Sequence, residues 1–539
     1  MWEKTDRMKT FADRIRPLGI SVERGADRIF LFLCFIIFGG LTFYSIRFTE
    51  MVDEAEEIPY TVIDSVGGNL LVLLAVTIAV LLLGRSVISK FFNEGQNADR
   101  RIGILAGVVT VCVTIISICW VSVCHVGPRA DGRLLCIVAE GMMGGNFQYM
   151  LPEGYMHNYP HQFSFLMVLQ ILYVLFGAGN YRAFQYMSAF CMPLLFYSGY
   201  KIIRLVCERA EAVICYILLF FSFIPMFLYV AYIYGDISST AFSMLFMWQI
   251  IRYCKTGRKS CYIWGTLAIM SACILRRNSI IVLVAAGIVL VIYAFRQIKP
   301  QALIWIFVMF ILISAANHGI RAYYEKISGI EISGGLPHIS WVLIGLTDSP
   351  RGPGWFVGDG ELEFYRHGYD TELTALDEKK EVVARLQNLW DNKAYGIDFF
   401  RRKLLSQWNA PAYHGLYETK SFTCEPEELP KIVYRIYYEE EAAVIAFMDR
   451  YQSVLYFYVS VGVLLSLIGK KKQRHLEDRI LLIAVVGGFL FHVLWEAMSR
   501  YALPYAIYMI PMAAMGMEQT RDFLSKFNTY SLFKSKKLY

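Results

Sequence analysis

Four short regions of this chain hold acidic, basic and aromatic residues where long apolar runs begin or end. In the first, Gly127-Pro128-Arg129-Ala130-Asp131-Gly132-Arg133 precedes Leu134, Leu135, Val138 and Met142. These four apolar residues share one helical face, so Asp131 heads an amphipathic helix suited to lie on a membrane. The unpaired N–H groups of a helix N-terminus hold a carboxylate in place, either as a plain cap or as a positioned base. The same region continues with GYMHNYPHQ at 154–162. Its Tyr155, His157, Tyr159, His161 and Gln162 suit either interface anchors or the wall of a substrate cavity.

The second is Tyr234-Gly235-Asp236, followed by Ser238 and Ser239. A carboxylate at a membrane boundary is costly unless solvated or paired, so Asp236 is a turn cap or else an acceptor or metal ligand. The third is Leu275-Arg276-Arg277-Asn278-Ser279. Two adjacent guanidiniums need an anionic partner, which a phosphate, a lipid head group or a buried carboxylate supplies. The fourth is Trp495-Glu496-Ala497-Met498-Ser499-Arg500-Tyr501. Glu496 and Arg500 are four apart and either pair on one helical face or both meet a ligand.

The elements that must position these residues are apolar. Of 539 residues, 56% are hydrophobic, 15% aromatic and 18% charged, against about 25% charged in soluble proteins. These proportions exclude a disordered protein, a secreted disulfide scaffold and an ordinary cytosolic enzyme. About 20 apolar residues cross the roughly 30 Å hydrocarbon layer as a helix. Twelve stretches qualify: 29–47, 66–85, 102–124, 183–201, 212–233, 237–253, 260–275, 278–295, 300–318, 451–469, 480–496 and 501–518. The expected fold is an all-α polytopic membrane protein with interfacial helices on its outer face.

Charge orients it. Short basic loops mark the cytoplasmic side. Lys4, Arg7, Lys9, Arg14, Arg16, Arg24 and Arg28 put the N-terminus inside, and Glu50, Asp53, Glu54, Glu56, Glu57 and Asp64 put the next connector outside. Lys90, Arg100 and Arg101 return the chain inside. If the apolar stretch 163–177 does not cross, the later basic clusters also fall inside: Lys201/Arg204/Arg209, Arg252/Lys255/Arg258/Lys259, Arg296/Lys299, Lys470/Lys471/Lys472/Arg474 and Arg521 to Lys537. It is therefore read as interfacial or re-entrant, with both termini cytoplasmic in a multi-pass cell membrane protein. The first 28 residues lack a small-residue cleavage site and are not expected to be removed.

The organisation expected is an N-terminal segment 1–101 with two spans, a transmembrane module 102–318 with an outer loop 125–182, an extracellular domain 319–450, terminal spans 451–518 and a basic tail 519–539. A connector as long as 319–450 must be a small folded domain.

Walker, HExxH, GxSxG and CxxC patterns in a fitting context are absent, as are a His/Cys metal cluster, a tandem repeat and a low-complexity tract. The basic residues are topological signals spread over separate loops, so nothing reads as nucleic-acid binding. Most of the twelve Cys lie in spans, while Cys136 and Cys424 share the outer side, where pairing stays open.

From about 103 to 518 the chain resembles polytopic glycosyltransferases of the C-type superfamily. It is most similar to bacterial membrane glycosyltransferases near family 39, the protein mannosyltransferase and aminoarabinose transferase group. The resemblance rests on Asp131 after a span, GYMHNYPHQ at 154–162, the Gly177…Arg182 step and YGD at 234–236. It also rests on LRRNS at 275–279, ISWVLIGL at 339–346 with Trp341, DFFRRKLLSQWNAP at 398–411 with Trp408, and WEAMSRYALPY at 495–505. Two departures stand out. The two helices before residue 102 are additional, and the usual acidic pair of the first outer loop is a lone Asp131 between Arg129 and Arg133.

The resemblance implies a polyprenyl-phosphate sugar donor and a cell-envelope polysaccharide, lipid or protein acceptor. A phosphate leaving group is already acidic and needs a cation rather than a general acid, a role for Arg276, Arg277 or Arg500. The acceptor hydroxyl needs one base, Asp131, and displacement by one base inverts the anomeric centre. Tyr155, His157, Tyr159, His161, Gln162, Arg182, Tyr234, Asn278, Trp341, Trp408 and Tyr501 would line the cavity, with Asp236 and Glu496 facing the acceptor or a divalent metal. No cofactor is implied with certainty. The rivals are a multi-pass transporter or lipid flippase and a non-catalytic scaffold. A transporter favours repeated halves and mid-span polar residues, whereas here the polar groups sit at the outer boundary and one large loop breaks the symmetry.

Overall fold

The computed structural model describes residues 2–53, 57–95, 97–421, 423–469 and 475–535, with the side chains of 2–20, 22 and 527–535 left aside. Of the residues that oriented the chain, Glu54, Glu56, Lys470, Lys471, Lys472, Arg474 and Lys537 lie outside the described residues, as do the side chains of Lys4, Arg7, Lys9, Arg14 and Arg16.

The twelve apolar stretches fold as helices over most of their lengths. The long ones are α1 (Trp2–Arg47), α2 (Val66–Leu83), α3 (Ala98–Val123), α4 (Ala130–Met143), α5 (Phe163–Phe176), α6 (Arg182–Val206), α7 (Ala210–Ser222), α8 (Asp236–Thr256), α9 (Ser260–Leu275), α10 (Ile280–Gln297) and α11 (Pro300–Ser328). Those that follow are α12 (His338–Gly345), α13 (Asp359–Arg366), α14 (Thr371–Asp391), α15 (Lys393–Trp408), α16 (Glu441–Ile468), α17 (Ile480–Leu494) and α18 (Leu503–Ser535). α8 packs against α6 and α9, and α16 against α1 and α18.

Among the described residues, seven helices are long and apolar enough to cross a membrane, or nine if each of two bent pairs makes one span. The expected count of twelve is therefore not reached on length and composition. α9 and α17 have 16 and 15 residues, and at about 1.5 Å per residue neither reaches 30 Å alone. α8 buries Ser238, Ser239, Thr240, Ser243 and Gln249, which lowers its hydropathy while serving its packing. One bent pair, Gln148–Asn158 with Pro160–Phe176, turns by 96°, so the 163–177 stretch does not continue the preceding helix.

The all-α expectation needs one correction. The acidic connector after α1 is a β-hairpin: β1 (Phe48–Val52) pairs antiparallel with β2 (Pro59–Ile63), in register Phe48 to Ile63. Its Thr, Tyr, Val and Ile residues favour strand. A second, very short pair joins β3 (Asp348–Ser349) to β4 (Gly352–Pro353). The long connector between α11 and α16 is folded: Leu346, Val382, Leu389 and Phe399 form one cluster. Leu416, Leu429, Val433, Tyr437 and Met448 form another, which includes Leu228 and packs on Trp120 of α3.

α4 buries Leu135, Val138 and Met142 against α5, each stabilising by about 1.5–3 kcal/mol. Leu134, expected on that face, is instead 44% exposed and turned to the cavity described below. Cys136 and Cys424 are both free thiols, the former buried.

Candidate functional site

Local backbone geometry places Asp131. Ala130 before it takes φ 43°, a left-handed conformation that costs about 1–3 kcal/mol in a non-glycine residue. Gly132 after it lies so close to the segment before α8 that a Cβ would stand 2.3 Å from the Ile233 carbonyl oxygen. Only glycine allows this approach, which brings Asp131 to the neighbour of Ile233. The Tyr234 hydroxyl accepts a 2.6 Å bond from Gln162 Nε2, and both side chains line the same cavity as Asp131.

The ring of the same tyrosine meets the cations. α9 ends at Leu275 because Arg276 is extended, φ −148° and ψ 114°. Its guanidinium carbon lies 4.5 Å from the Tyr234 ring centroid and its Nη2 lies 3.2 Å from Asp236 Oδ1. Gly235, at φ 81°, makes the turn that permits this: a Cβ there would press within 2.9 Å of the Leu275 carbonyl. Arg500 stands 5.1 Å from the Tyr234 centroid. It donates to Glu418 Oε1 at 2.8 Å and to the Tyr232 hydroxyl. Burial pushes the Glu418 carboxyl above its usual range, and Arg500 draws it back. Arg277 has no ion pair among the described residues.

Asp131, Gln162, Tyr234, Arg276, Arg277 and Arg500 line one cavity of about 630 Å³. Its remaining wall comes from the connector between α11 and α16 and from the β1–β2 hairpin: Glu57, Arg351, Phe356, Glu361, Tyr417 and Glu418. Five arginines (129, 276, 277, 351, 500) and five carboxyl groups (57, 131, 361, 418, 496) face it, so acidic and basic side chains are matched in number. Tyr159 donates to Glu361, and its ring packs 5.0 Å from Tyr155 and 6.0 Å from Trp341. The segment after α17 is fixed by the buried Lys403 of α15. Its ammonium donates to the carbonyls of Gly345, Val493 (2.9 Å) and Trp495 (2.7 Å).

Of the residues singled out in the sequence, thirteen line this cavity: Asp131, Tyr155, Tyr159, His161, Gln162, Tyr234, Arg276, Arg277, Asn278, Trp341, Glu496, Arg500 and Tyr501. Four do not. His157 packs on Phe364 and Tyr369. Arg182 donates to the Val121 carbonyl at 3.2 Å, tying α6 to the end of α3. Trp408 is core, 1% exposed, against Phe489 and Tyr505. Asp236 is buried behind Arg276, its carboxylate ion-paired with that guanidinium and without a hydrogen-bond partner among the described residues. Within them no group of three His, Cys, Asp or Glu is arranged to hold a metal ion, and Asp236 is engaged by a guanidinium instead.

Sequence reasoning missed Glu57, Arg351, Glu361, Tyr417, Glu418 and Lys403. It also missed His414, 4% exposed with both ring nitrogens unpartnered among the described residues. Tyr413 and His414 are both left-handed, φ 50° and 62°. Burial first, then Arg500, Arg129 and Arg351, push the His414 imidazole down to about 3, so it is neutral. Chemically, the cavity offers carboxyl groups, guanidiniums and aromatic faces suited to the C–H side of a sugar ring.

No family model matches the chain, and no curated protein matches it. Among solved structures it is similar to the Archaeoglobus fulgidus oligosaccharyltransferase in the apo form, with TM-score 0.38 and 13% identity over 80% of this chain. The chain spans about half, 52%, of the length of that structure.

Proposed function

We propose that this chain is a membrane glycosyltransferase that moves a sugar from a polyprenyl-phosphate donor to an acceptor hydroxyl at the outer face of the cell membrane, with inversion. The observation that carries the reading is the single cavity that Asp131, Tyr234, Arg276, Arg277 and Arg500 line together, with Arg276 and Arg500 packed by the Tyr234 ring. A base and two cations thus share one cavity without neutralising each other, since the arginines have Asp236 and Glu418 as their own counter-ions.

In this reading Asp131 accepts the proton of the acceptor hydroxyl as its oxygen attacks the anomeric carbon. The bond from that carbon to the phosphate oxygen breaks, and its electron pair stays on the polyprenyl phosphate. Arg276, Arg277 and Arg500 stabilise the charge that gathers there, which fixed donors do without reorganising. Arg277, free of any ion pair among the described residues, makes the first phosphate contact. Tyr155, Tyr159 and Trp341 hold the sugar. A lipid donor explains why the cavity is built where apolar helices end. Both termini are cytoplasmic in this reading, and the acceptor belongs to the cell envelope.

The test is purified protein with a panel of polyprenyl-phosphate sugars, following sugar transfer or release. Turnover of at least one donor that is lost in Asp131→Asn is the expected result. Absence of turnover with every donor, together with uptake of a solute into vesicles, would replace this reading with the transporter.

A further inference from the structure

The β1–β2 hairpin belongs to the N-terminal addition, yet it is built into the cavity wall. It is fixed to the connector domain by two bonds in opposite senses: the Glu50 N–H donates to the Asn409 carbonyl at 3.0 Å, and Asn409 Nδ2 donates to the Phe48 carbonyl. Thr61 donates to Glu50 and Thr49 to Asp64 at 2.9 Å, which ties the strands together through side chains as well. This frame presents Glu57 in a left-handed conformation, φ 54°, a strained state that persists only where the surroundings impose it.

The Glu57 carboxylate stands 2.6 Å from an Arg351 guanidinium nitrogen, with side chains 26% and 40% exposed. Tyr417 lines the same cavity wall. The Tyr417 ring in turn carries the Arg129 guanidinium, 4.1 Å from its centroid, and its carbonyl accepts from Arg129. Arg129 is two residues before Asp131. All of these side chains line the cavity. The N-terminal hairpin and the segment that carries the residue proposed as base therefore share one cavity wall.

From this geometry, and resting on the proposed glycosyl transfer, we propose that Glu57 and Arg351 form the acceptor subsite and that the acceptor is a saccharide. A half-exposed carboxylate–guanidinium pair offers acceptor oxygens and donor N–H groups side by side. That matches adjacent sugar hydroxyls, each of which donates and accepts. The pair is electrically balanced, so it selects for a neutral polyol rather than an anion. Tyr417 and Phe356 add aromatic surface for the apolar face of the ring. A peptide hydroxyl offers one such group where this wall provides for several. The N-terminal addition thereby determines which hydroxyl reaches Asp131.

The test uses full-length protein in lipid nanodiscs, one polyprenyl-phosphate hexose that the wild type turns over, fluorescent disaccharides, and hexapeptides with a single Ser or Thr. The wild type is expected to glycosylate a disaccharide and not the peptides. Glu57→Gln is expected to raise the KM for the disaccharide about 10- to 100-fold, as loss of a charged hydrogen bond does, with the donor KM within about twofold. The swap Glu57→Arg with Arg351→Glu keeps an ion pair but inverts the groups offered, and should not restore the acceptor KM. Transfer to peptide alone, equal change of both KM values, or full rescue by the swap would each overturn the subsite. Failure of the wild type on every donor would instead overturn the proposed function.

Discussion

Arg500, in the segment between α17 and α18, donates to Glu418 of the connector domain at 2.8 Å, with side chains 5% and 3% exposed. One buried ion pair thus clamps the folded connector onto the helix bundle beside Tyr234. Removing one partner of such a pair leaves an uncompensated charge and costs about 3–5 kcal/mol. Arg500→Ala should therefore lower thermal stability in detergent markedly. Glu418→Gln, which retains a polar group for Arg500, should lower it less.

The adjacent arginines should separate. Arg276→Ala uncovers the buried Asp236 carboxylate and is expected to destabilise by about 3–5 kcal/mol. Arg277→Ala removes an exposed side chain with no ion pair among the described residues, and stability should stay within about 0.5 kcal/mol. Donor affinity should nevertheless fall roughly tenfold in Arg277→Ala, because the proposed phosphate contact is lost. Melting curves and donor KM for the two variants distinguish them.

Lys403 satisfies three carbonyls, one buried and two partly buried, on two separate segments. Lys403→Met keeps the length but leaves them unpaired, at roughly 3 kcal/mol or more in total. Hydrogen exchange should accelerate across 493–500, and turnover should fall with it, since that segment carries Glu496 and Arg500.

Glu378 of α14 gives a pH signature. Its carboxyl is buried, accepts a 2.6 Å bond from Ser340, and is pushed up to about 7 by burial. A carboxyl with a higher pKa folded than unfolded adds stability that is full below about 4.5 and is lost as pH rises through about 7. After allowance for solvent screening, the loss is about 1–2 kcal/mol. Glu378→Gln should raise the melting temperature at pH 8 and flatten its dependence between pH 5 and 7.5.

Topology is checked by thiol labelling of intact cells. A Cys introduced near Asp359, exposed at the start of α13, should react from outside, and one near Lys471 should not. Reaction at Lys471 would contradict the orientation.

Much of the site was legible because the ends of apolar runs report membrane depth. Asp131, Tyr234, Arg276, Glu496 and Arg500 could be grouped on that basis alone, and they meet. Depth says nothing of direction around a helix axis, however. Asp236 has the depth of Tyr234 yet turns behind Arg276, and the aromatic and basic residues His157, Trp408 and Arg182 went to packing. The connector domain and hairpin have no apolar ruler, so Glu57, Arg351, Glu361 and Glu418 carried no positional signal. Nor can residue type disclose the left-handed backbones of Ala130 and His414, which the surrounding contacts impose.

The central claim is that Asp131 is the base in a cavity whose cations hold the donor phosphate. The most direct measurement compares Asp131→Asn with wild type for transfer from one polyprenyl-phosphate sugar, alongside equilibrium donor binding. The amide keeps the shape but cannot take the proton, so the rate should fall about 10²- to 10⁴-fold with donor affinity retained. Wild-type turnover by Asp131→Asn would contradict the account.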